Sequence, residues 1–169
     1  MLIRRATPED AMAVARVHVR SWQAAYRGLI PQAYLDGLRA EDRAERYDFA
    51  TDDALKPMTL LAVEGDAICG FATTSPSRDI DRAADGELCA LYAEPAWWGR
   101  GVGVMLIKAA RAQLVEQGFR SVLLWVLVGN ARAGQFYERD GWRLDGQRRQ
   151  VDVWGVTLEE VRMVRELDG

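Results

Sequence analysis

The chain contains one histidine, His18, and two cysteines, Cys69 and Cys89, both in apolar, strand-like surroundings. A zinc or iron centre needs several such ligands at short spacing, so no metal site is expected. Two isolated thiols read as reduced cysteines of a cytoplasmic protein rather than as a disulfide scaffold. No run approaches the ~18 apolar residues of a membrane span. The start Met1-Leu2-Ile3-Arg4-Arg5 leads straight into a polar helix cap, so no secretory signal and no membrane partner are expected. Lys and Arg number 22 against 25 Asp and Glu, a net charge of −3, and the basic residues form no stripe. A nucleic-acid partner is not expected either.

What is present suits a single domain over residues 1–169, with 49% apolar residues to build its core. A strand over 2–5 precedes Thr7-Pro8-Glu9-Asp10, a cap with proline at the first helical position, and a helix follows to about Tyr26. Pro31 opens a second helix reaching about Phe49. Segments 58–63 and 68–74 read as a hairpin across Glu64-Gly65-Asp66-Ala67, and 87–93 as another strand. The run Val122-Leu123-Leu124-Trp125-Val126-Leu127-Val128, within a strand over 121–128, is apolar throughout, as a buried central strand requires. Segments 143–153 and 160–167 form a closing antiparallel pair, leaving 75–86 and 154–158 as loops.

The richest stretch is Glu94-Pro95-Ala96-Trp97-Trp98-Gly99-Arg100-Gly101-Val102-Gly103-Val104. Glycines alternate at 99, 101 and 103, and from Val102 the apolar Leu106, Ala109, Ala110 and Leu114 recur at helical spacing. A helix's first turn has N–H groups without intrahelical partners and the positive end of the dipole, and glycine lets an anion approach them. The stretch lacks the Gly-Lys-Ser/Thr end of a nucleoside triphosphate loop and the third glycine of a dinucleotide fingerprint. A helix that simply begins at a glycine turn is the plain alternative.

Trp98-Gly99-Arg100-Gly101-Val102-Gly103 resembles motif A of the GNAT acetyltransferase superfamily, Gln/Arg-x-x-Gly-x-Gly/Ala. The block Asn130-Ala131-Arg132-Ala133-Gly134-Gln135-Phe136-Tyr137-Glu138-Arg139-Asp140-Gly141-Trp142 resembles its Asn-to-Tyr helix and closing Gly-aromatic pair. The resemblance implies an α/β single-domain fold, a mixed, mostly antiparallel sheet with splayed central strands flanked by helices, and acetyl-CoA wedged in the splay. It implies that the backbones of Leu91, Tyr92 and Ala93 pair with the pantetheine arm. The N–H groups of Gly99, Arg100, Gly101, Val102, Gly103 and Val104 would wrap the pyrophosphate. Asn130 would lie near the thioester, or simply cap its helix. Trp98 departs from the family's polar or basic side chain, so only the backbone contact carries over at that position.

The same resemblance implies N-acetyl transfer to a primary amine of a small molecule or peptide, by direct attack in a ternary complex. The amine must lose a proton, and the departing thiolate benefits from an acid. Tyr137, seven residues after Asn130, takes the family position of that acid; an apolar Phe136-Tyr137 pair packed on the sheet is the alternative. Glu87, eight residues before Pro95, takes that of the base or of a relay to water. An alternating strand would set it beside Cys89 and Leu91, and an exposed strand-end carboxylate is the alternative. Cys89 invites an acyl-enzyme route, but a lone thiol in an apolar strand is inert as a rule. His18 reads as a packed helix residue. Trp22, Tyr26 and Trp154 are candidate acceptor walls, and Asp36, Asp79 and Asp81 could attract a cationic amine. Polyamine, amino acid or peptide N-terminus and aminoglycoside-like acceptors all remain open, as do monomer and homodimer. A CoA-binding sensor without turnover is the rival reading.

Overall fold

The computed structural model describes residues 1–168. Seven strands, β1 (Leu2–Arg5), β2 (Met58–Glu64), β3 (Ala67–Pro76), β4 (Gly86–Ala93), β5 (Ser121–Leu127), β6 (Arg143–Val153) and β7 (Val156–Glu166), form one sheet. Their order is β1-β2-β3-β4-β5-β7-β6. Every neighbouring pair is antiparallel except β4 and β5, which are parallel. The helices are α1 (Ala11–Ala25), α2 (Gln32–Asp36), α3 (Ala40–Ala44), α4 (Val102–Glu116) and α5 (Ala131–Arg139).

Strand alternation divides the core between the two faces of the sheet. Leu61 and Phe71 pack with Val14 and Val17 of α1 on one face. Their neighbours Ala62 and Ala72 pack on the other with Leu106 and Ala110 of α4, beside Tyr137 of α5. Fully burying each large apolar side chain contributes about 2 kcal/mol. Before α1, Pro8 opens a 3-10 turn, and the Asp10 carboxylate accepts from the Thr7 N–H at 2.8 Å. Among the described residues no helix is long and apolar enough to cross a membrane.

Three expectations are corrected. The second helix is two short ones, because Gly37 N–H bonds back to Ala33 and Tyr34 and Arg39 is extended. Only Leu35 is buried in α2 and no residue in α3, so no continuous apolar stripe supports a longer helix. Residues 156–158 lie in β7, the turn being Trp154-Gly155 alone. In β4 the register jumps from Leu88↔Thr74 to Ala90↔Thr73, a bulge at Cys89. The bulge puts Leu88 and Leu91 in one cluster and Ala90 and Tyr92 in the opposite one. Glu87, opposite Ser75, therefore keeps Cys89 on its face, as the Ser75–Cys89 contact of 3.1 Å shows, but not Leu91.

Candidate active site

β4 and β5 pair at only two positions, Gly86↔Val122 and Glu87↔Leu123, and then part. β5 stays with β7 through Leu127↔Glu160, and β4 stays with β3 through Ala93↔Gly70. The paired end needs glycine: a Cβ on Gly86 would come within 2.7 Å of Leu114. Beyond it opens a cleft of about 890 Å³, walled by β4 from Leu88 to Ala93 and by Trp125, Val126 and Leu127 of β5. There β4 presents a strand edge without a ladder partner, and such an edge accepts another extended chain. One group is already in use, since the Ala93 carbonyl accepts from Ser21 Oγ and Trp98 Nε1, each at 2.9 Å.

The glycine turn closes one end of the cleft. Gly99 and Gly101 have φ of +75° and +82°, left-handed values that glycine adopts without strain, and a Cβ at either would meet open space. Met105 N–H is bonded to the Gly101 carbonyl at 3.0 Å, so the N–H groups of Val102, Gly103 and Val104 have no partner within the helix. These three residues line the cleft with Gly99, Gly101 and Trp98. Gly103 is small for a further reason: its Cβ would stand 3.3 Å from the Phe136 ring. Arg100 is not among the lining residues; it stacks over Trp97 at 5.2 Å. The cation at this end is Arg132, 3.5 Å over the Trp98 ring, a residue the sequence reading passed over.

Asn130, just before α5, and Tyr137, within it, also line the cleft. The Asn130 side chain accepts from Ala133 N–H at 3.2 Å and so caps α5. Burial pushes the Tyr137 hydroxyl above its ordinary pKa, with the Tyr92 phenol adding to the effect. Glu87 is 2% exposed, which overturns the exposed-carboxylate alternative. It is absent from the cleft wall, whereas Arg78, which covers it, is present. Cys89 is a free thiol raised to about 11, mainly by burial and then by the charge of Glu87. Glu160, also passed over, lines the cleft and binds Arg149 through Oε1, at 3.0 Å from Nε and 2.9 Å from Nη2.

At the far end Trp22, Tyr26 and Trp154 come together, with Trp22 4.9 Å from Tyr26 and 4.5 Å from Trp154 between ring centroids. Trp154 has φ +54°, a left-handed value uncommon for a bulky residue, and the turn is held by the Tyr34 hydroxyl donating to the Trp154 carbonyl. The expected acidic attractants are engaged elsewhere. Asp79 and Asp81 pair with buried Arg162 at 2.9 and 2.7 Å, and Asp36 accepts from Gln32. His18 stacks 4.7 Å from Tyr92, bonds the Tyr47 hydroxyl at 2.8 Å, and is kept neutral by burial and by nearby Arg43. Among the described residues no group of three or more His, Cys, Asp or Glu side chains could hold a metal.

Known proteins resemble this chain in sequence and in fold. Residues 19–142 match the acetyltransferase (GNAT) family. YuaI of Bacillus subtilis, named as an uncharacterized N-acetyltransferase, is 31% identical over 159 residues, covering 94% of this chain and 89% of its own. A GCN5-related N-acetyltransferase from Rhodopseudomonas palustris superposes with a TM-score of 0.77 at 24% identity, over 98% of this chain and 95% of that one. The PaiA N-acetyltransferase of Thermoplasma acidophilum, solved with coenzyme A, gives 0.73 at 21% identity over 98% of both. With the parted strands and the glycine turn in place, the chain belongs to the GNAT family of N-acetyltransferases.

Proposed function

We propose that the protein transfers the acetyl group of acetyl-CoA to a primary amine of a small molecule or peptide, by direct attack while both substrates are bound. The observation that carries this reading is the parting of β4 and β5 into a cleft that ends at three unpartnered helix N–H groups. An extended pantetheine arm suits the open edge of β4, and a pyrophosphate suits the N–H groups of Val102, Gly103 and Val104. Arg132 on Trp98 adds the positive charge that position 98 does not supply. The coenzyme A bound to the Thermoplasma relative supports the same ligand here.

The amine nitrogen attacks the thioester carbonyl, the carbon–sulfur bond breaks, and the thiolate takes a proton. Tyr137 donates that proton; a phenol held above its usual pKa is protonated throughout the working range. The proton lost by the amine goes to Glu160, at the mouth of the splay opposite Leu127, whose Oε1 alone is committed to Arg149. Glu87 has both oxygens engaged by Arg78 and serves as a positioning residue that keeps this guanidinium at the cleft. The test is thiol release from acetyl-CoA across a panel of amines, with calorimetry of CoA alone. Amine-dependent release supports the reading, and tight CoA binding without release from any amine replaces it with a sensor.

A further inference from the structure

The acceptor end of the cleft holds two arginines for which the chain supplies no counter-ion. Arg78 is neutralised by Glu87, and Arg149 by Glu160. Arg43 from α3, half-buried, and Arg46 just after it, exposed, line the same end, and neither joins an ion pair among the described residues. The Arg43 guanidinium carbon lies 3.2 Å from the centroid of the Trp154 ring, and its Nε is buried without a hydrogen-bond partner. Burial lowers the Arg43 pKa to about 10, against the pull of the Tyr47 and Tyr92 phenols. Taking the Arg43 guanidinium half out of water without pairing it costs free energy, and an anion in the cleft offsets that cost.

The arginine wall has a second side. A smaller cavity of about 390 Å³ is lined by Tyr34, Asp42, Arg43, Arg46 and Trp154, so Arg43, Arg46 and Trp154 border both it and the main cleft. The acids nearby do not neutralise them: Asp42 is exposed, and exposed Asp152 accepts from the Thr157 hydroxyl at 2.5 Å. Trp154, held in its left-handed turn, gives the Arg43 guanidinium a flat support that presents its planar donors. A planar fork of N–H donors matches a carboxylate, which it binds through two parallel hydrogen bonds.

We infer that the acceptor is an amine that also carries a carboxylate, gripped by Arg43 and Arg46 while the amine faces the thioester. This rests on the acetyl-transfer reading of the cleft. A polyamine, which would set a second ammonium beside two unpaired guanidiniums, is disfavoured by the same charges.

The test uses matched sets: an amino acid, its amide, and the amine left when its carboxylate is removed, for aromatic, thioether and aliphatic side chains, with spermidine alongside. Each is assayed for thiol release from acetyl-CoA and titrated calorimetrically into the CoA-loaded protein. In at least one set the free acid should exceed both partners by tenfold or more in kcat/KM and in affinity. In Arg43→Gln the KM for that acid should rise tenfold or more while kcat and CoA affinity hold, and Arg43→Lys should recover part of the loss. Arg46→Gln provides a second reading should Arg43→Gln not fold. Equal or better use of amides, decarboxylated amines or spermidine, or indifference to both arginine variants, overturns the inference and leaves acetyl transfer standing. Arginine-dependent binding of the acids without thiol release from any set upholds the anion site and overturns acetyl transfer instead.

Discussion

The Arg78 guanidinium closes over the Glu87 carboxylate, with Nη2 2.6 Å from Oε1 and Nε 3.2 Å from Oε2, while the Arg78 backbone N–H donates to Oε2 at 3.2 Å. Its partner is buried at the last paired position of β4 and β5, whereas the Arg78 side chain is largely exposed and faces the cleft. Arg78→Met strands a buried carboxylate and should cost about 1 to 3 kcal/mol, read as a lower midpoint in thermal unfolding.

The two glutamates separate by pH. At pH 7 an amine with a pKa of about 10 is free base in roughly one molecule in a thousand, so losing the proton acceptor hurts most at low pH. Glu160→Gln should reduce kcat/KM increasingly from pH 9 down to pH 6. Glu87→Gln, by loosening Arg78, should raise the acceptor KM by a factor that stays constant across that range. Exchange of the two profiles would return the base role to Glu87.

Tyr137→Phe keeps the ring packed against Phe136 and Trp142 and removes only the hydroxyl. Where chemistry limits, kcat should fall about a hundredfold with CoA affinity unchanged. Because burial holds the phenol above its ordinary pKa, the acid form persists as pH rises, and the wild-type kcat profile should show no fall up to pH 9.5. A limb descending near pH 8 would assign the acid elsewhere.

Much of this site is legible in the sequence, and its limits have physical causes. The apolar run of β5 and the alternating glycines announce themselves because a buried strand and a helix N-terminus each impose a local pattern. The Glu87–Arg78 pair does not, since it depends on the path of the loop between β3 and β4. The bulge at Cys89 reversed the face of Leu91, which strict alternation cannot foresee. Arg43 meets Trp154 only because Gly37 ends α2 early and the β6–β7 turn folds back onto α3. The three aspartates illustrate the converse: their charge was visible, but the Arg162 that claims Asp79 and Asp81 lies on a distant strand.

Gly101 offers a cleaner probe of the glycine turn than Gly103. Any side chain at 103 meets Phe136, so a variant there disturbs packing as well as the ligand. At Gly101 a Cβ meets nothing, and the strain of φ +82° falls on the turn alone. Gly101→Ala should stay folded, losing about 1 to 2 kcal/mol, and bind CoA at least tenfold more weakly by calorimetry. Unaltered CoA affinity would separate the turn from the phosphates.

Cys89 should be a bystander. With its thiol at about 11, the thiolate is scarce at pH 8, so iodoacetamide should label it slowly in the native protein and quickly after unfolding. Cys89→Ala should retain turnover, and mass spectrometry should find no acetylated enzyme when acetyl-CoA is supplied without acceptor. An acetyl adduct on Cys89 together with an inactive Cys89→Ala would establish a double-displacement route.

The central claim is that coenzyme A occupies the parting of β4 and β5, and amide hydrogen exchange with and without CoA tests it most directly. The account predicts slowed exchange confined to two segments, residues 88–93 on the open strand edge and residues 99–104 at the glycine turn, with Gly101→Ala weakening the effect at both. Protection that appears elsewhere, or none at saturating CoA, would contradict it.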